Sequence, residues 1–312
     1  MPGRARVVAG AAGAKKSGRP SITVADLGEF GLIAAIQALL PASSAGPVGI
    51  GDDAAVVRAP DGRVVATTDL LVEGRHFRRD WSGAFDIGGK AAAQNLADVA
   101  AMGASPTALL VGLAAPGDLL VTWAEDLVRG LAAECARAGA SVVGGDVSSA
   151  DSVMLAITAL GDLCGREPVT RAGADAGDRL AIAGLVASHR RPQPPYACGP
   201  EAARLGATSM IDISDGLVAD LGHVAEASGV RLDIEAARLP ADPALRSAAA
   251  ALGADWLRWV LTGGEDHALA ATFPPDTDLP GHWLAIGTAR EGHGVTVDSR
   301  PADRLGGWQH FV

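Results

Sequence analysis

Apolar residues follow helical spacing in some segments of the chain and form short runs of strand length in others. In residues 26–40, Leu27, Phe30, Ile33 and Ile36 recur at intervals of three, which predicts an amphipathic helix. Glycine, proline and aspartate separate the shorter apolar runs, as expected for strands joined by turns. The predicted helices cover 26–40, 86–102, 122–138, 216–228 and 242–261, and the predicted strands cover 54–58, 64–68, 109–113, 142–146, 153–160, 180–183, 210–213, 268–273, 283–287 and 294–298.

Helices and strands are mixed in both halves of the sequence, which predicts a mixed α/β fold. Because the order is not strictly strand–helix–strand, the α+β class fits the pattern equally well. The 312 residues suffice for two domains, and residues 161–177 are rich in glycine, aspartate and arginine, as expected for a boundary. We therefore predict a disordered tail at 1–25, an N-terminal domain at 26–165 and a C-terminal domain at 166–312.

Charge and composition argue against several kinds of partner and location. A formal net charge of −10 repels nucleic-acid phosphates, and no basic stripe interleaved with aromatic residues is present. Residues 99–117 carry no charge, but their glycines and prolines favour a helix end, a loop and a strand over a membrane span. Cys135, Cys164 and Cys198 are odd in number, far apart and without metal-ligand spacing, which favours a reducing cytoplasm over a disulfide framework.

Carboxylates recur at turns that follow apolar runs. Mg²⁺ prefers carboxylate oxygens, and the neighbouring glycines allow backbone N–H groups to approach a phosphate. A carboxylate about 4 Å from a phosphate charge costs roughly 4 kcal/mol at an effective dielectric near 20, so cations are needed between them. The acidic positions are Asp52, Asp53, Asp69, Asp98, Asp146, Asp212, Asp215, Glu265 and Asp266.

Each acidic position has an ordinary structural explanation when it is taken alone. Asp-Asp after glycine and Gly-Gly-Glu-Asp are common turns, Asp98 suits an exposed helix face, and Asp215 suits a helix cap. Five acidic turns in a chain with few other charges are harder to explain that way, because independent turns use Asn and Ser more often.

Four other side chains each allow two interpretations. His76 is either structural or a substrate contact, and Arg171 is either a surface residue or a bidentate phosphate clamp. Trp308 and Phe311 either fill the core or stack on an aromatic substrate ring.

Familiar nucleotide-binding motifs fit the sequence poorly. Residues 49–54 have the spacing of a dinucleotide fingerprint, but two carboxylates would face the pyrophosphate and no strand–helix unit follows. Gly89 and Lys90 resemble the end of a Walker A loop, but Ala84 and Ala91 replace its first glycine and its final Ser or Thr. A nucleotide enzyme with this sequence therefore needs another phosphate-binding device.

Nine motifs occur in order from residue 28 to the C-terminus. They are GEFGLI, GDDAAVV, TTDLLVEGRHF, KAAAQNLADVAAMGA, GGDVSS, TRAGADAGD, DISDGLVADLGH, GGEDH and GWQHF. Together they resemble the thiamine-monophosphate kinases, a family within the ATP-binding superfamily of aminoimidazole-ribonucleotide synthetase. The sequence departs from the family between Gly184 and Pro192, where a helix is missing, and at His267, where tyrosine is common.

The resemblance implies two α/β domains, a homodimer formed through N-terminal strands, and phosphorylation of thiamine monophosphate by ATP with several Mg²⁺ ions. It implies that the N-terminal domain binds ATP and Mg²⁺ and that the C-terminal domain completes the active site. The implied Mg²⁺ ligands are Asp53, Thr67, Thr68, Asp69, Asp98, Asp146, Asp212 and Asp215, of which Asp69, Asp212 and Asp215 are also the implied catalytic residues. The implied ATP contacts are Gly145, Asp146, Arg171 and Ser214, and the implied substrate contacts are His76, Glu265, Trp308 and Phe311.

Phosphoryl-transfer chemistry agrees with this residue set. The reaction needs positioning and charge neutralisation, and an acceptor phosphate is already anionic at neutral pH, so no activating base is required. Three alternatives stay open from the residues: another ATP-using synthetase of the superfamily, a metal-dependent phosphohydrolase, and a sensor that binds its ligand without turnover. No reactive cysteine lies near the N-terminus, which argues against a selenophosphate synthetase.

Overall fold

The structure is a computed structural model, and it describes residues 22–42, 45–46, 50, 54–184, 191–240, 242–302 and 306–308. The helices within these ranges are α1 Val24–Gln37, α2 Ala84–Ala101, α3 Val121–Ala138, α4 Cys198–Leu205, α5 Leu217–Ser228, α6 Pro243–Leu252 and α7 Trp256–Thr262. The strands are β1 Val65–Val72, β2 Ser105–Ala115, β3 Ser141–Ser149, β4 Met154–Asp162, β5 Arg179–Ala183, β6 Ser209–Asp212, β7 Arg231–Ile234, β8 Leu269–Phe273, β9 Trp283–Arg290, β10 Gly294–Val297 and β11 Arg300–Pro301.

The strands form two mixed sheets, one in each half of the chain. The N-terminal sheet has the order β1-β4-β2-β3, in which β2 and β3 are parallel and the other pairs are antiparallel. The C-terminal sheet has the order β11-β10-β7-β9-β5-β8-β6, and β7 and β10 form its parallel pair. The predicted mixed α/β class is therefore confirmed, and the predicted domain boundary falls in the connection between β4 and β5.

Helix α2 is almost wholly buried between the N-terminal sheet and α3. Its alanines and glycines let the two helices approach closely: a Cβ added at Gly88 would lie 2.0 Å from the carbonyl oxygen of Leu127. Leu96 of α2 is fully buried in a hydrophobic cluster that also contains Phe273 of β8 and Trp283 of β9. The two halves of the chain thus share this cluster, which fixes α2 against the C-terminal half, while a second cluster fills the C-terminal half alone.

Several predicted elements differ from the structure. The strand predicted at 54–58 is wrong, since Val56 forms only a single bridge there. The helix predicted at 242–261 is two helices, because Gly253 adopts a φ of 62° and ends α6. Helix α4 and strands β7 and β11 were not predicted, because they are short and lack strong periodicity.

The uncharged segment 99–117 contains the end of α2, a turn and the whole of strand β2, as expected for a helix end, a loop and a strand. Within the described ranges, no helix combines the length and the apolar character that crossing a membrane requires.

Candidate active site

Edge strand β1 presents alternate side chains to the two faces of the N-terminal sheet. Thr67 and Asp69 face α2: the Thr67 hydroxyl donates to Asp98 Oδ2 at 2.9 Å, and Asp69 Oδ2 accepts from Gln94 Nε2 at 3.0 Å. Thr68 lies between them, and its hydroxyl donates to a carbonyl oxygen of β4 at 3.0 Å. Strand β1 therefore delivers the side chains of Thr67 and Asp69 to the carboxylates and amides of α2.

Helix α2 carries Lys90, Gln94 and Asp98 at intervals of four residues, which places them along one stripe of the helix. The Lys90 ammonium lies 2.6 Å from Glu265 Oε1 and donates to the His76 carbonyl at 3.0 Å. The Lys90 side chain is only 7% exposed, so solvent screens this ion pair weakly. The Lys90–Glu265 ion pair therefore joins α2, in the N-terminal half, to the loop before β8, in the C-terminal half. Lys90 is the first residue of the stripe.

The loop between β6 and α5 is held by one buried carboxylate. Asp220 Oδ2 accepts hydrogen bonds from the backbone N–H groups of Ser214, Asp215 and Gly216, each at 3.0 Å. Burial, followed by the charge of Asp212, raises the pKa of Asp220 to about 7. The loop is thereby fixed directly after Asp212, the last residue of β6.

The loop before β8 packs against the loop after β6. The Glu265 N–H donates to the Ser214 carbonyl at 2.7 Å, and the His267 N–H donates to the Ile213 carbonyl at 2.8 Å. Glu265 and His267 adopt φ values of 66° and 55°, a strained region for residues with a Cβ. His267 Nδ1 lies 3.1 Å from Asp212 Oδ2, while its buried Nε2 has no hydrogen-bond partner in the described part of the chain.

Three carboxylates from three elements come close enough to interact. Burial, followed by the charges of Asp212 and Asp69, raises the pKa of Asp98 to about 7. Burial alone would lower the pKa of His267, but its hydrogen bond to Asp212 and the neighbouring carboxylates outweigh burial and raise it. The cluster thus gathers more negative charge than one imidazolium balances.

This donor set fits a hard divalent cation. Carboxylates of Asp69, Asp98 and Asp212 and the hydroxyl of Thr67 supply the oxygen ligands that Mg²⁺ prefers. A dication between them would relieve the repulsion that raises the pKa of Asp98.

A cleft of about 880 Å³ opens beside this cluster, within the size range of small-molecule sites. Two exposed indoles line it: Trp81, with the Arg78 guanidinium 4.4 Å above its ring, and Trp308, whose backbone N–H donates to the Asp215 carbonyl at 3.0 Å. The cleft therefore combines acidic groups, a buried ion pair and aromatic faces. Its lining includes Asp69, His76, Trp81, Lys90, Gln94, Ser214, Asp215, Glu265, His267 and Trp308.

Known proteins with similar sequences share one activity in their names. Residues 51–163 match the family described as AIR synthase related protein, N-terminal domain. A thiamine-monophosphate kinase of Mycobacterium tuberculosis is 46% identical, with 93% of this chain and 94% of the relative covered. The enzyme of the same name from Aquifex aeolicus is 32% identical, with 92% and 99% covered.

This chain belongs to the thiamine-monophosphate kinase family.

Solved structures of the family share its fold. The thiamine-monophosphate kinase of Stenotrophomonas maltophilia K279a superimposes with a TM-score of 0.76 at 30% identity, covering 87% of this chain and 96% of that one. AaThiL complexed with AMPPCP and TMP also gives a TM-score of 0.76, at 32% identity, covering 94% of this chain and 100% of that one. Hydrogenase maturation protein HypE, at 19% identity and a TM-score of 0.68, shares the fold alone.

The residues expected from the family motifs fall into three groups. The cleft and its carboxylate cluster bring together Thr67, Asp69, Asp98, Asp212, Ser214, Asp215, His76, Glu265 and Trp308. Gly145 and Asp146 lie on β3, three strand spacings or about 14 Å from β1, and the exposed Arg171 lies outside the cleft lining. Asp53 and Phe311 lie outside the described residues.

Six further residues in or beside the site were missed by the sequence reasoning. Spacing offered a signal for two of them, since Lys90 and Gln94 precede Asp98 by eight and four residues on the same helical stripe. Asn95 accepts the Asp69 N–H at 3.0 Å, and this cross-element contact has no sequence signature. The missed residues are Trp81, Lys90, Gln94, Asn95, Asp220 and His267.

Proposed function

We propose that this protein transfers the γ-phosphoryl group of ATP to thiamine monophosphate, giving thiamine diphosphate and ADP. Family membership at 46% identity supports the proposal, as does the fold shared with AaThiL complexed with AMPPCP and TMP. The observation that carries it is the cleft, in which a carboxylate cluster from both halves of the chain lies beside a polar and aromatic wall.

Asp69, Asp98, Asp212 and Asp215, with the Thr67 hydroxyl, are the proposed Mg²⁺ ligands. Bound Mg²⁺ would neutralise phosphate charge and bridge the two anionic reactants. Asp53, Thr68 and Asp146 complete the ligand set that the family motifs imply. Of these, the Thr68 hydroxyl already donates to β4, and Asp146 lies on β3.

The proposed reaction uses the acceptor phosphate itself as the nucleophile. One of its oxygens forms a bond to the γ-phosphorus, and the bond from that phosphorus to the β,γ-bridging oxygen breaks, releasing ADP. Ser214 and Asp215 are fixed by Asp220 at the cleft, where they position the phosphates. No side chain needs to remove a proton.

The wall formed by Glu265, His76 and Trp308 is the proposed thiamine subsite. The Glu265 carboxylate suits the cationic thiazolium ring, and an indole face suits the pyrimidine. His76 Nδ1 accepts the Val72 N–H at 2.9 Å, which fixes the ring orientation. The Lys90 ammonium restrains Glu265 and keeps it aimed into the cleft.

Gly145, Asp146 and Arg171 are proposed nucleotide contacts on the strength of the family motifs, and Phe311 is a second proposed aromatic contact. The homodimer through the N-terminal sheet also belongs to the proposal, and exposed Leu70 and Met154 give that sheet apolar surface. The free thiols of the three cysteines support a reducing compartment, and we place the enzyme in the cytoplasm.

Product analysis separates this proposal from a phosphohydrolase. The protein is incubated with ATP and Mg²⁺, with and without thiamine monophosphate, and both ADP and free phosphate are measured. We expect ADP to form only with thiamine monophosphate, matched by thiamine diphosphate and without free phosphate. Phosphate released in the absence of thiamine monophosphate would instead establish a hydrolase.

A further inference from the structure

A second cluster of metal-ligating side chains lies away from the cleft, between α4 and the start of β9. Ligand atoms of Cys198, Glu201 and His282 all lie within 4.8 Å of one another. None of the three lines the cleft. We propose that Cys198, Glu201 and His282 form a binding site for a zinc-class divalent cation.

The sequence spacing and the fold both contribute to this cluster. Cys198 and Glu201 are three residues apart in the first turn of α4, so their side chains share one face of the helix. His282 directly precedes β9 and reaches the same face across 81 residues of sequence. His282 Nε2 lies 2.5 Å from Glu201 Oε2, so one proton joins the two groups in the absence of a metal.

The donor chemistry favours zinc over magnesium. A thiolate, an imidazole nitrogen and a carboxylate are the ligands that Zn²⁺ selects, whereas Mg²⁺ prefers oxygen ligands alone. Tetrahedral bonds of about 2.0 to 2.3 Å place ligand atoms about 3.5 Å apart, well inside the observed limit of 4.8 Å. Replacing the proton between His282 and Glu201 with a cation requires only that these two side chains separate by about 1 Å.

The scaffold around the three ligands is rigid. The Trp283 indole N–H donates to Glu201 Oε2 at 3.0 Å, the kind of outer hydrogen bond that orients a metal-binding carboxylate. Trp283 itself is buried and packs edge-on against Phe273, with ring centroids 5.1 Å apart. A Cβ added at Gly199 would lie 2.0 Å from the Ala100 carbonyl oxygen, so α4 begins in direct backbone contact with α2.

Exposure increases from Cys198 outward, which leaves an entry path for the cation. Cys198 is buried, the Glu201 side chain is 25% exposed, and the His282 side chain is 52% exposed. Burial, followed by the charge of Glu201, raises the pKa of the Cys198 thiol to about 11. The thiol is therefore protonated at neutral pH without a metal, and a bound dication displaces that proton to solvent. Thiolate and carboxylate together balance the charge of the cation, and water completes a four-coordinate site.

The bound cation would link α4 to the residue that precedes β9, because it joins Glu201 to His282, which lie 81 residues apart in the sequence. Because the site is absent from the unfolded chain, cation binding would stabilise the folded state. The proposal is independent of the kinase reaction, since its three ligands are separate from the cleft residues.

Cobalt substitution tests the site directly in the full-length protein. The protein is stripped with a chelator, reduced and titrated with Co²⁺, and its absorption spectrum is recorded. We expect a thiolate-to-cobalt charge-transfer band in the near ultraviolet and the visible bands of tetrahedral cobalt, both removed by competing Zn²⁺. The oxygen ligands of the cleft produce no thiolate-to-cobalt band, so the spectrum of Co²⁺ bound in the cleft differs from that of Co²⁺ bound to Cys198.

Matched variants assign the spectrum to its ligands. Cys198→Ser should abolish the charge-transfer band, and Glu201→Gln should lower Co²⁺ affinity about tenfold or more. Cys164→Ser, which changes the exposed free cysteine, should leave the band unchanged. Each variant is first checked by circular dichroism and for kinase turnover, which should match the unsubstituted protein. The absence of a band in the unsubstituted protein, or a band that survives Cys198→Ser, would overturn the proposal.

Discussion

Asp212 connects several parts of the site at the scale of single residues. It ends β6, binds His267, and its charge raises the pKa of both Asp98 and Asp220. A carboxylate placed among other carboxylates destabilises the folded state unless a cation compensates for its charge. The position of Asp212 therefore indicates a role in cation binding rather than in folding stability.

Asp212→Asn should therefore inactivate the enzyme without unfolding it. We expect turnover to fall about 100-fold or more, because a proposed Mg²⁺ ligand is lost. The amide oxygen can still accept from His267, and removal of one negative charge relieves Asp98, so the unfolding temperature should stay level or rise. Turnover and thermal unfolding are measured on the same preparation, and wild-type activity in this variant would contradict the assigned site.

Asp98 gives the metal-free protein a distinctive pH dependence. Its pKa is about 7 in the folded state, against an ordinary value near 3.8. Between these values the folded state binds more protons than the unfolded chain, so the free energy of unfolding falls as pH rises. Urea unfolding in EDTA at about pH 5 and about pH 7.5 should show this fall.

Asp98→Asn is the control for that pH dependence. It removes the contribution of this carboxyl group, so the fall in stability should shrink, leaving the parts due to Asp220, whose pKa is also about 7, and to His267, whose pKa is raised by Asp212 and the neighbouring carboxylates despite its burial. An unchanged pH profile in this variant would show that Asp98 is not the responsible group.

Glu265 tests the proposed thiamine subsite. Glu265→Gln removes the charge proposed to face the thiazolium and leaves the Lys90 ammonium in its place. We expect the KM for thiamine monophosphate to rise about tenfold, equivalent to about 1.4 kcal/mol, while the KM for ATP stays within about twofold. Glu167→Gln, at an exposed surface position, is the matched control. Equal changes in both KM values would argue against a thiamine-specific role.

Among the contacts between helices and strands, the one between α2 and α3 matters most for the candidate site. Helix α2 carries Lys90, Gln94 and Asp98, so its position relative to the sheet sets the spacing of the whole cluster. Gly88 permits that position because the Leu127 backbone occupies the space where a side chain would begin.

Gly88→Ala should destabilise the protein by about 1–3 kcal/mol, since overpacking against backbone cannot be relieved by a rotamer change. Gly222→Ala makes the same chemical change inside α5, where no atom lies within 4 Å of the added Cβ. It should stabilise by about 0.5–1 kcal/mol through helix propensity. Chemical denaturation of both variants checks the opposite signs, and equal effects would contradict the packing argument.

Long periodic segments were the most predictable elements. Helix α1 is predicted at 26–40 from its apolar spacing and found at Val24–Gln37, but Gly28 adopts a φ of 66° and breaks it near its start. The segment 242–261 also has helical composition, but Gly253 interrupts it with a left-handed conformation. Helix α4 was missed because its eight residues depend on tertiary contacts with α2 rather than on periodicity.

The site residues also differ in whether the sequence carries a local signal for them. Asp212 could be proposed because it follows an apolar run and ends β6. The turn expected at Asp69 was wrong, since Asp69 lies inside β1, and this residue was proposed from its motif. Asn95 and Asp220 act through hydrogen bonds to the backbone of distant or looped segments, which a linear pattern does not encode. Cys198 lacked metal-ligand spacing in the sequence, because its proposed partner His282 lies 84 residues further on, directly before β9.

At the scale of the whole molecule, the two halves meet in a shared hydrophobic cluster and in a candidate active-site cleft that both line. Metal binding between their carboxylates should therefore stabilise the folded protein as a whole. We expect Mg²⁺ to raise the unfolding temperature at about pH 7.5, where Asp98 is ionised, more than at about pH 5. Thermal unfolding with Mg²⁺ or EDTA measures this, and an equal shift at both pH values would contradict metal binding at the cluster.

Phosphoryl transfer between two anionic reactants in this cleft is tested most directly by following the phosphorus atom. The enzyme is incubated with thiamine monophosphate and ATP labelled at the γ-phosphate, with Mg²⁺ or with EDTA, and the products are separated. We expect label in thiamine diphosphate, in equal amount to ADP, only with Mg²⁺, and almost none with Asp212→Asn. Label in free phosphate, or transfer that persists in EDTA, would contradict it.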